Sequence, residues 1–178
     1  MISRCRHTIR PGAESSGVTA SEPRPLPPAT ILFVCTGNIC RSPLAETVAR
    51  RALVEWFRVP DLSEIGLHTT SAGTLAVEGR PATPEMQQVA GEIGLDLSTH
   101  RSCQLSPQAI AEASLILVME ARHLRWVRSH RAEAPSGLLG ASDIDDPYGL
   151  GLPEYRRARQ AIITAVEMHL PELVGLAN

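Results

Sequence analysis

Lysine is absent from this 178-residue chain: all 17 basic side chains are arginines. A nucleotide-binding loop of the glycine-lysine-Ser/Thr type is therefore excluded. Aromatic residues make up only 3% of the chain, so few rings are available for stacking on a ligand. Four cysteines are too few for a disulfide scaffold. Apolar runs are short, the longest being of the kind Leu115-Ile116-Leu117-Val118-Met119. Spanning a bilayer takes about 20 apolar residues, so no membrane association is expected. The formal net charge of −2 leaves no basic excess for a nucleic-acid partner. The length fits one domain of the usual ~100–200 residues. These exclusions leave a single-domain chain expected to be cytoplasmic.

Residues 1–29 differ from the rest. They hold Pro11, Pro23, Pro25, Pro27 and Pro28, five of the chain's 14 prolines, around a Ser/Gly/Thr-rich middle. Arg4, Arg6, Arg10 and Arg24 against Glu14 and Glu22 give the segment +2, leaving −4 for the remainder. It contains no apolar run that would serve as the core of an export signal. The segment reads as a disordered extension in which no catalytic role is expected of Cys5, with the domain covering 30–178.

From Thr30 onward, strand and helix patterns alternate. Ile31-Leu32-Phe33-Val34 is a continuous apolar run suited to a strand buried on both faces. Residues 43–58 carry Leu44, Val48, Ala52, Leu53 and Trp56 at helical spacing, with Ser42 as the expected N-cap and Pro43 in the first turn. A second strand is expected over 66–73 and a third over 115–119, with a weak one around Leu138-Leu139. Helices are expected over 84–93 (closed by Gly94), 107–113, 120–130 and 153–173. This alternation predicts an α/β fold with a parallel sheet covered on both faces.

The chemistry concentrates in Val34-Cys35-Thr36-Gly37-Asn38-Ile39-Cys40-Arg41-Ser42-Pro43. A loop between a buried strand and a helix start lies at the carboxyl edge of the sheet, where open α/β folds bind ligands. Its N–H groups and the unsatisfied donors of the helix form an anion cradle. Gly37 and Asn38 are residue types that readily adopt positive φ. Arg41 adds a planar fork of donors for phosphate oxygens. A thiol must ionise to attack phosphorus, and a helix dipole supplies only about 0.3–2 kcal/mol of anion stabilisation. Amides, the Ser42 hydroxyl and Arg41 must therefore add to it.

The run from Cys35 to Pro43, followed by Ala45-Glu46, resembles the signature of the low-molecular-weight protein tyrosine phosphatase family. The similarity continues through Ser71-Ala72-Gly73, 100–104, 115–119 and Asp146-Pro147-Tyr148, spanning 30–173. It implies a three-layer sandwich with a four-stranded parallel sheet and a phosphate-binding loop after the first strand. It also implies metal-independent hydrolysis through a phosphocysteine, with no cofactor. Cys35 would be the nucleophile, Arg41 the phosphate clamp and Asp146 the general acid, its backbone restricted by Pro147. Thr36, Gly37, Asn38, Ile39, Cys40, Ser42, Leu75 and Tyr148 would contact substrate, with Ser71 and His100 supporting the loop. Cys40 would form a reversible disulfide with Cys35 under oxidation. His7, His68, His123, His130 and His169 have no evident partner in the sequence and read as solvated.

The expected partners are phosphorylated proteins, acted on by a monomer. Tyr148 is followed by Gly149, and the stretch Thr74-Leu75-Ala76-Val77-Glu78 has no aromatic, where members of the family often carry aromatics. Cys103 replaces a frequent arginine. Asp146-Pro147-Tyr148-Gly149 and Ala82-Thr83-Pro84 are similar to the protein-arginine phosphatase branch, which tends to have threonine where Ile39 stands. Ile39 favours a tyrosine ring over a guanidinium, so phosphotyrosine is expected first and phosphoarginine second. An arsenate reductase would need paired relay thiols, and only Cys103 is extra within the domain. A non-catalytic phosphate-binding module would not need both Cys35 and Asp146.

Overall fold

A computed structural model describes residues 28–177. The expectations for the 1–27 segment, including Cys5 and His7, lie outside the described residues. The elements run β1 (Ala29–Cys35), α1 (Arg41–Phe57), β2 (Leu67–Gly73), α2 (Pro84–Gly91), α3 (Pro107–Glu112), β3 (Leu115–Val118), α4 (Ala121–His130), β4 (Ser136–Leu138) and α5 (Leu152–Gly175). A short 3-10 turn, Leu62–Ile65, precedes β2. Its signal is local, an Asp61 side chain accepting from Ser63 N, and has no apolar periodicity to reveal it.

All four strands are parallel, in the order β2-β1-β3-β4. The chain goes from β1 to β2 on one side and then returns to β3 on the other. The crevice beyond the carboxyl end of β1 is thus the topological switch point, the usual ligand position in open α/β sheets. Along β1 the side chains alternate between two cores: Ile31, Phe33 and Cys35 face one, Leu32 and Val34 the other. The first core is closed by α1, α2 and α5, the second by α3 and α4. Helices on both faces make the three-layer sandwich.

Several local expectations are corrected. β1 takes in Ala29, which is buried and donates its N–H to Gly66 O at 2.8 Å. Helix α1 begins at Arg41, so Cys40 rather than Ser42 occupies the N-cap, and Ser42 turns its hydroxyl to other partners. Trp56 falls outside the buried stripe of Leu44, Ala45, Val48, Ala49 and Leu53, and is 59% exposed. The fourth strand lies slightly upstream of the expected position.

Candidate active site

The loop 36–40 leaves β1 and turns directly into α1. Asn38 is the residue that takes positive φ, at 53°. Gly37 does not, and a Cβ there would meet only the Ile39 side chain, no closer than 3.5 Å. The glycine the loop needs is Gly73, at the end of β2. A Cβ on Gly73 would lie 2.5 Å from Thr36 O and 2.9 Å from Asn38 N, so only glycine lets β2 approach this closely. The loop is stitched to the segment after β2 by Thr74 N donating to Cys35 O (3.0 Å) and Leu75 N to Thr36 O (2.9 Å).

Cys35 Sγ is buried at the head of this loop. It accepts from Asn38 N at 3.3 Å and lies 3.0 Å from Ser42 Oγ. The amides of Gly37, Ile39 and Cys40 have no acceptor among the described residues, and those of Arg41 and Ser42 are free as first-turn donors. Gly37, Ile39, Cys40 and Arg41 line a cleft of about 210 Å³. Its lining includes Cys35, Thr36, Gly37, Ile39, Cys40 and Arg41 from the loop, with Leu75, Val77, Arg80, Asp146 and Tyr148 as walls.

Arg41 is 1% exposed and heavily bonded. Nη1 donates to Glu120 Oε1 (2.6 Å) and to Ile144 O (2.7 Å), while Nη2 pairs with Asp146 Oδ2 at 2.6 Å. Its Nε is buried with no partner among the described residues. A buried donor left over on a fully anchored guanidinium fits a tetrahedral oxyanion beside the amide cradle. Burial alone would raise the Glu120 carboxyl, but hydrogen bonds from Arg41 and Arg122 hold it below its usual range.

Asn38 and Ser42, expected to touch substrate, do not line the cleft: both side chains are buried behind it. Asn38 Oδ1 accepts from Cys103 N at 2.8 Å, which fixes the amide so that Nδ2 donates to Ser42 Oγ and Ser71 Oγ, both at 2.9 Å. Ser71 Oγ donates onward to Glu46 Oε2 (2.6 Å). Both hydroxyls thus accept from the amide, which leaves the Ser42 proton two acceptors, Cys35 Sγ at 3.0 Å and Ala72 O at 3.4 Å. Ser71 and His100 both bond Asn38, His100 Nε2 donating to Asn38 O at 2.7 Å. Burial pushes the His100 imidazole below its usual range, and it raises Glu46 above the usual carboxylate range against the opposing Ser71 bond. Cys40 packs beneath the loop with Sγ 3.5 Å from Thr83 Oγ1 and 3.7 Å from Tyr155 OH, and burial pushes its thiol up to about 11.

Asp146 and Tyr148 come from the loop after β4. That loop is pinned to the sheet by Ile144 N donating to Met119 O, and to the site by Arg41 on Ile144 O. Asp143 has a separate task, accepting from Ala121 N at the start of α4. Glu120, Ile144 and His123 escaped the sequence reading. His123, expected in solvent, is 2% exposed and lies 2.9 Å from Thr36 Oγ1. Only the acidic residue at a strand end, Glu120 after β3, carried a visible hint. Of the other histidines, His68 is exposed, His130 stacks on Trp126 and His169 bonds Glu172.

The arrangement defines a class: a doubly wound α/β protein whose switch point holds a thiol in an oxyanion cradle with a guanidinium and a carboxylate. A family model for low molecular weight phosphotyrosine protein phosphatase matches residues 30–175. The chain belongs to this family of phosphatases. It is 36% identical over 152 residues to the probable low molecular weight protein-tyrosine-phosphatase EpsP of Ralstonia nicotianae, covering 83% of this chain and 97% of that one. It is 36% identical over 150 residues to a protein-arginine-phosphatase of Geobacillus stearothermophilus, covering 79% and 93%. The solved structure of Vibrio vulnificus Wzb in complex with benzylphosphonate superposes with a TM-score of 0.71 at 31% identity, covering 82% of this chain and 99% of that one. Among the described residues no helix is long and apolar enough to cross a membrane.

Proposed function

We propose that this chain hydrolyses phosphotyrosine in proteins through a phosphocysteine. The observation that carries the reading is the convergence of Cys35, Arg41 and Asp146 on one small cleft, with Ser42 and Asn38 donors turned onto the sulfur. The phosphoryl oxygens take the loop amides and the Arg41 guanidinium, which places phosphorus in line with Sγ. The thiolate attacks, an S–P bond forms, the bond from phosphorus to the tyrosyl oxygen breaks, and Asp146 gives that oxygen its proton. Water then attacks the phosphocysteine as Asp146 takes its proton, and inorganic phosphate leaves the restored thiolate. Phosphate binding takes Arg41 from Asp146, which frees the carboxyl for the leaving group.

Ile39, Leu75, Val77 and Tyr148 wall the cleft with apolar surface suited to an aromatic ring. Phosphoarginine is the second reading, favoured by the likeness to the Geobacillus protein-arginine-phosphatase. The test is turnover of a small aryl phosphate without added metal, then of matched phosphotyrosyl and phosphoarginyl peptides. Cys35→Ser is expected to abolish turnover, and Asp146→Asn to lower it by about 10²–10⁴-fold. Ile39→Thr is expected to move the peptide preference toward phosphoarginine. Full activity in the Cys35→Ser variant would overturn the mechanism.

A further inference from the structure

We infer that His123 is a positioning residue for the phosphate loop: through Thr36 it braces the peptide that follows Cys35 against α4. The inference rests on the reading of the loop given above.

His123 is a costly residue where it stands. Its ring is almost fully buried, and Nδ1 has no hydrogen-bond partner among the described residues. Packing alone would be served better by leucine, which carries no polar atom to desolvate. The ring's close polar contact is Nε2 with Thr36 Oγ1 at 2.9 Å, with Glu120 Oε1 farther off at 3.9 Å. Thr36 Oγ1 also accepts from Arg122 Nη2 at 3.2 Å.

The opposite side of the loop is already held. Cys35 O and Thr36 O take the amides of Thr74 and Leu75, which fixes the backbone toward β2. Without His123, the Thr36 side chain keeps on that side only the exposed Arg122 guanidinium, at 3.2 Å. The peptide that carries the Gly37 amide would then be free to rock about its β2 anchor.

The same turn of α4 holds the other half of the site. Glu120, at the N-cap of α4, accepts Arg41 Nη1 at 2.6 Å and Arg122 Nη2 at 2.8 Å. His123 lies three positions after Glu120, so a single helical turn reaches both the guanidinium and the residue after the nucleophile. The start of α4 therefore sets the spacing between Arg41 and Cys35. Burial pushes the His123 imidazole down to about 4, so the brace adds no positive charge beside Arg41 and Arg122.

The test uses the full chain, with three readouts: inorganic phosphate affinity by calorimetry, aryl phosphate kinetics, and the thermal midpoint. His123→Leu is expected to keep or raise the midpoint while weakening phosphate binding and raising KM by about tenfold. Thr36→Val should do the same, and Thr36→Ser, whose hydroxyl preserves the contact, should bind phosphate more tightly and show a lower KM than Thr36→Val. The His123→Leu/Thr36→Val double variant should be no worse than the poorer single variant, since both remove one link. Unchanged phosphate affinity in His123→Leu, or effects of the two changes that multiply, would overturn the brace. Calorimetry reports phosphate affinity without turnover, so a protein that binds phosphate but hydrolyses nothing would sink the proposed activity and leave this inference standing.

Discussion

Replacing Asn38 with alanine removes two separable contributions, and the structure gives each a size. The first is conformational: Asn38 sits at φ 53°, where a residue with Cβ but no local polar side chain is disfavoured by about 1–2 kcal/mol. The second is the amide itself. Its loss takes the 2.8 Å acceptor from the half-buried Cys103 N–H, a change that costs about 1–3 kcal/mol for a fully buried donor and sits at the low end here. Two further bonds, to Ser42 and Ser71, go with it at about 0.5–1.5 kcal/mol each. Because these terms overlap, the expected loss is about 3–5 kcal/mol rather than their sum. For a chain of this size that lowers the thermal midpoint by roughly 6–20 °C. Asn38→Gly keeps the backbone conformation but not the amide, and should recover about 1 kcal/mol relative to Asn38→Ala. Both variants should lose aryl phosphate turnover, because the Ser42 hydroxyl beside Cys35 Sγ no longer has the Asn38 amide to hold it. Denaturant unfolding of the three proteins measures the difference. If glycine proves no better than alanine, or alanine costs under about 1 kcal/mol, the account of this loop is wrong.

Two other outcomes are expected. Gly73→Ala should unseat the loop, since its Cβ would collide with Thr36 O and Asn38 N; a thermal midpoint and kcat/KM both equal to wild type would contradict the packing described. His123 titrates near 4 in the folded protein, against an ordinary value of about 6.5 after unfolding. The unfolded chain therefore binds more protons between these values, and stability is full above pH 6.5 and falls as the pH drops toward 4. The loss amounts to about 3 kcal/mol, and the stability–pH curve of His123→Gln should be flatter by that amount across the same window.

The strands and helices were largely legible because their signals are local and repetitive. A four-residue apolar run announces β1, and Thr83-Pro84 and Ser106-Pro107 announce α2 and α3, where Thr83 and Ser106 do cap their helices. The phosphate loop was legible for a similar reason, since its residues are contiguous. What escaped depends on residues distant in the chain meeting in space. Glu120 reaches Arg41 across 79 positions, and His123 reaches Thr36 across 87. Neither has a neighbour in sequence that betrays its partner, and an isolated histidine on a charged helix reads as solvent-facing. Gly37 and Gly73 illustrate the opposite error. Composition alone favours the glycine inside the loop, whereas the steric need belongs to the one at the end of an adjacent strand, which only the sheet register (Cys35 beside Gly73) reveals. Trp56 shows the same limit, its helical spacing being right while no neighbour among the described residues covers it.

The Arg41–Asp146 pair joins a guanidinium that is 1% exposed to a carboxylate that is 35% exposed. An arginine cannot shed its charge, so leaving it alone in so dry a place would be expensive at any stage of a cycle. The outer partner is the one free to swing aside. On the proposed mechanism a visiting dianion would trade places with it and the carboxylate would return as the spent anion departs, so the cation would pass from one companion to the next and the departing anion would meet a competitor at the exit.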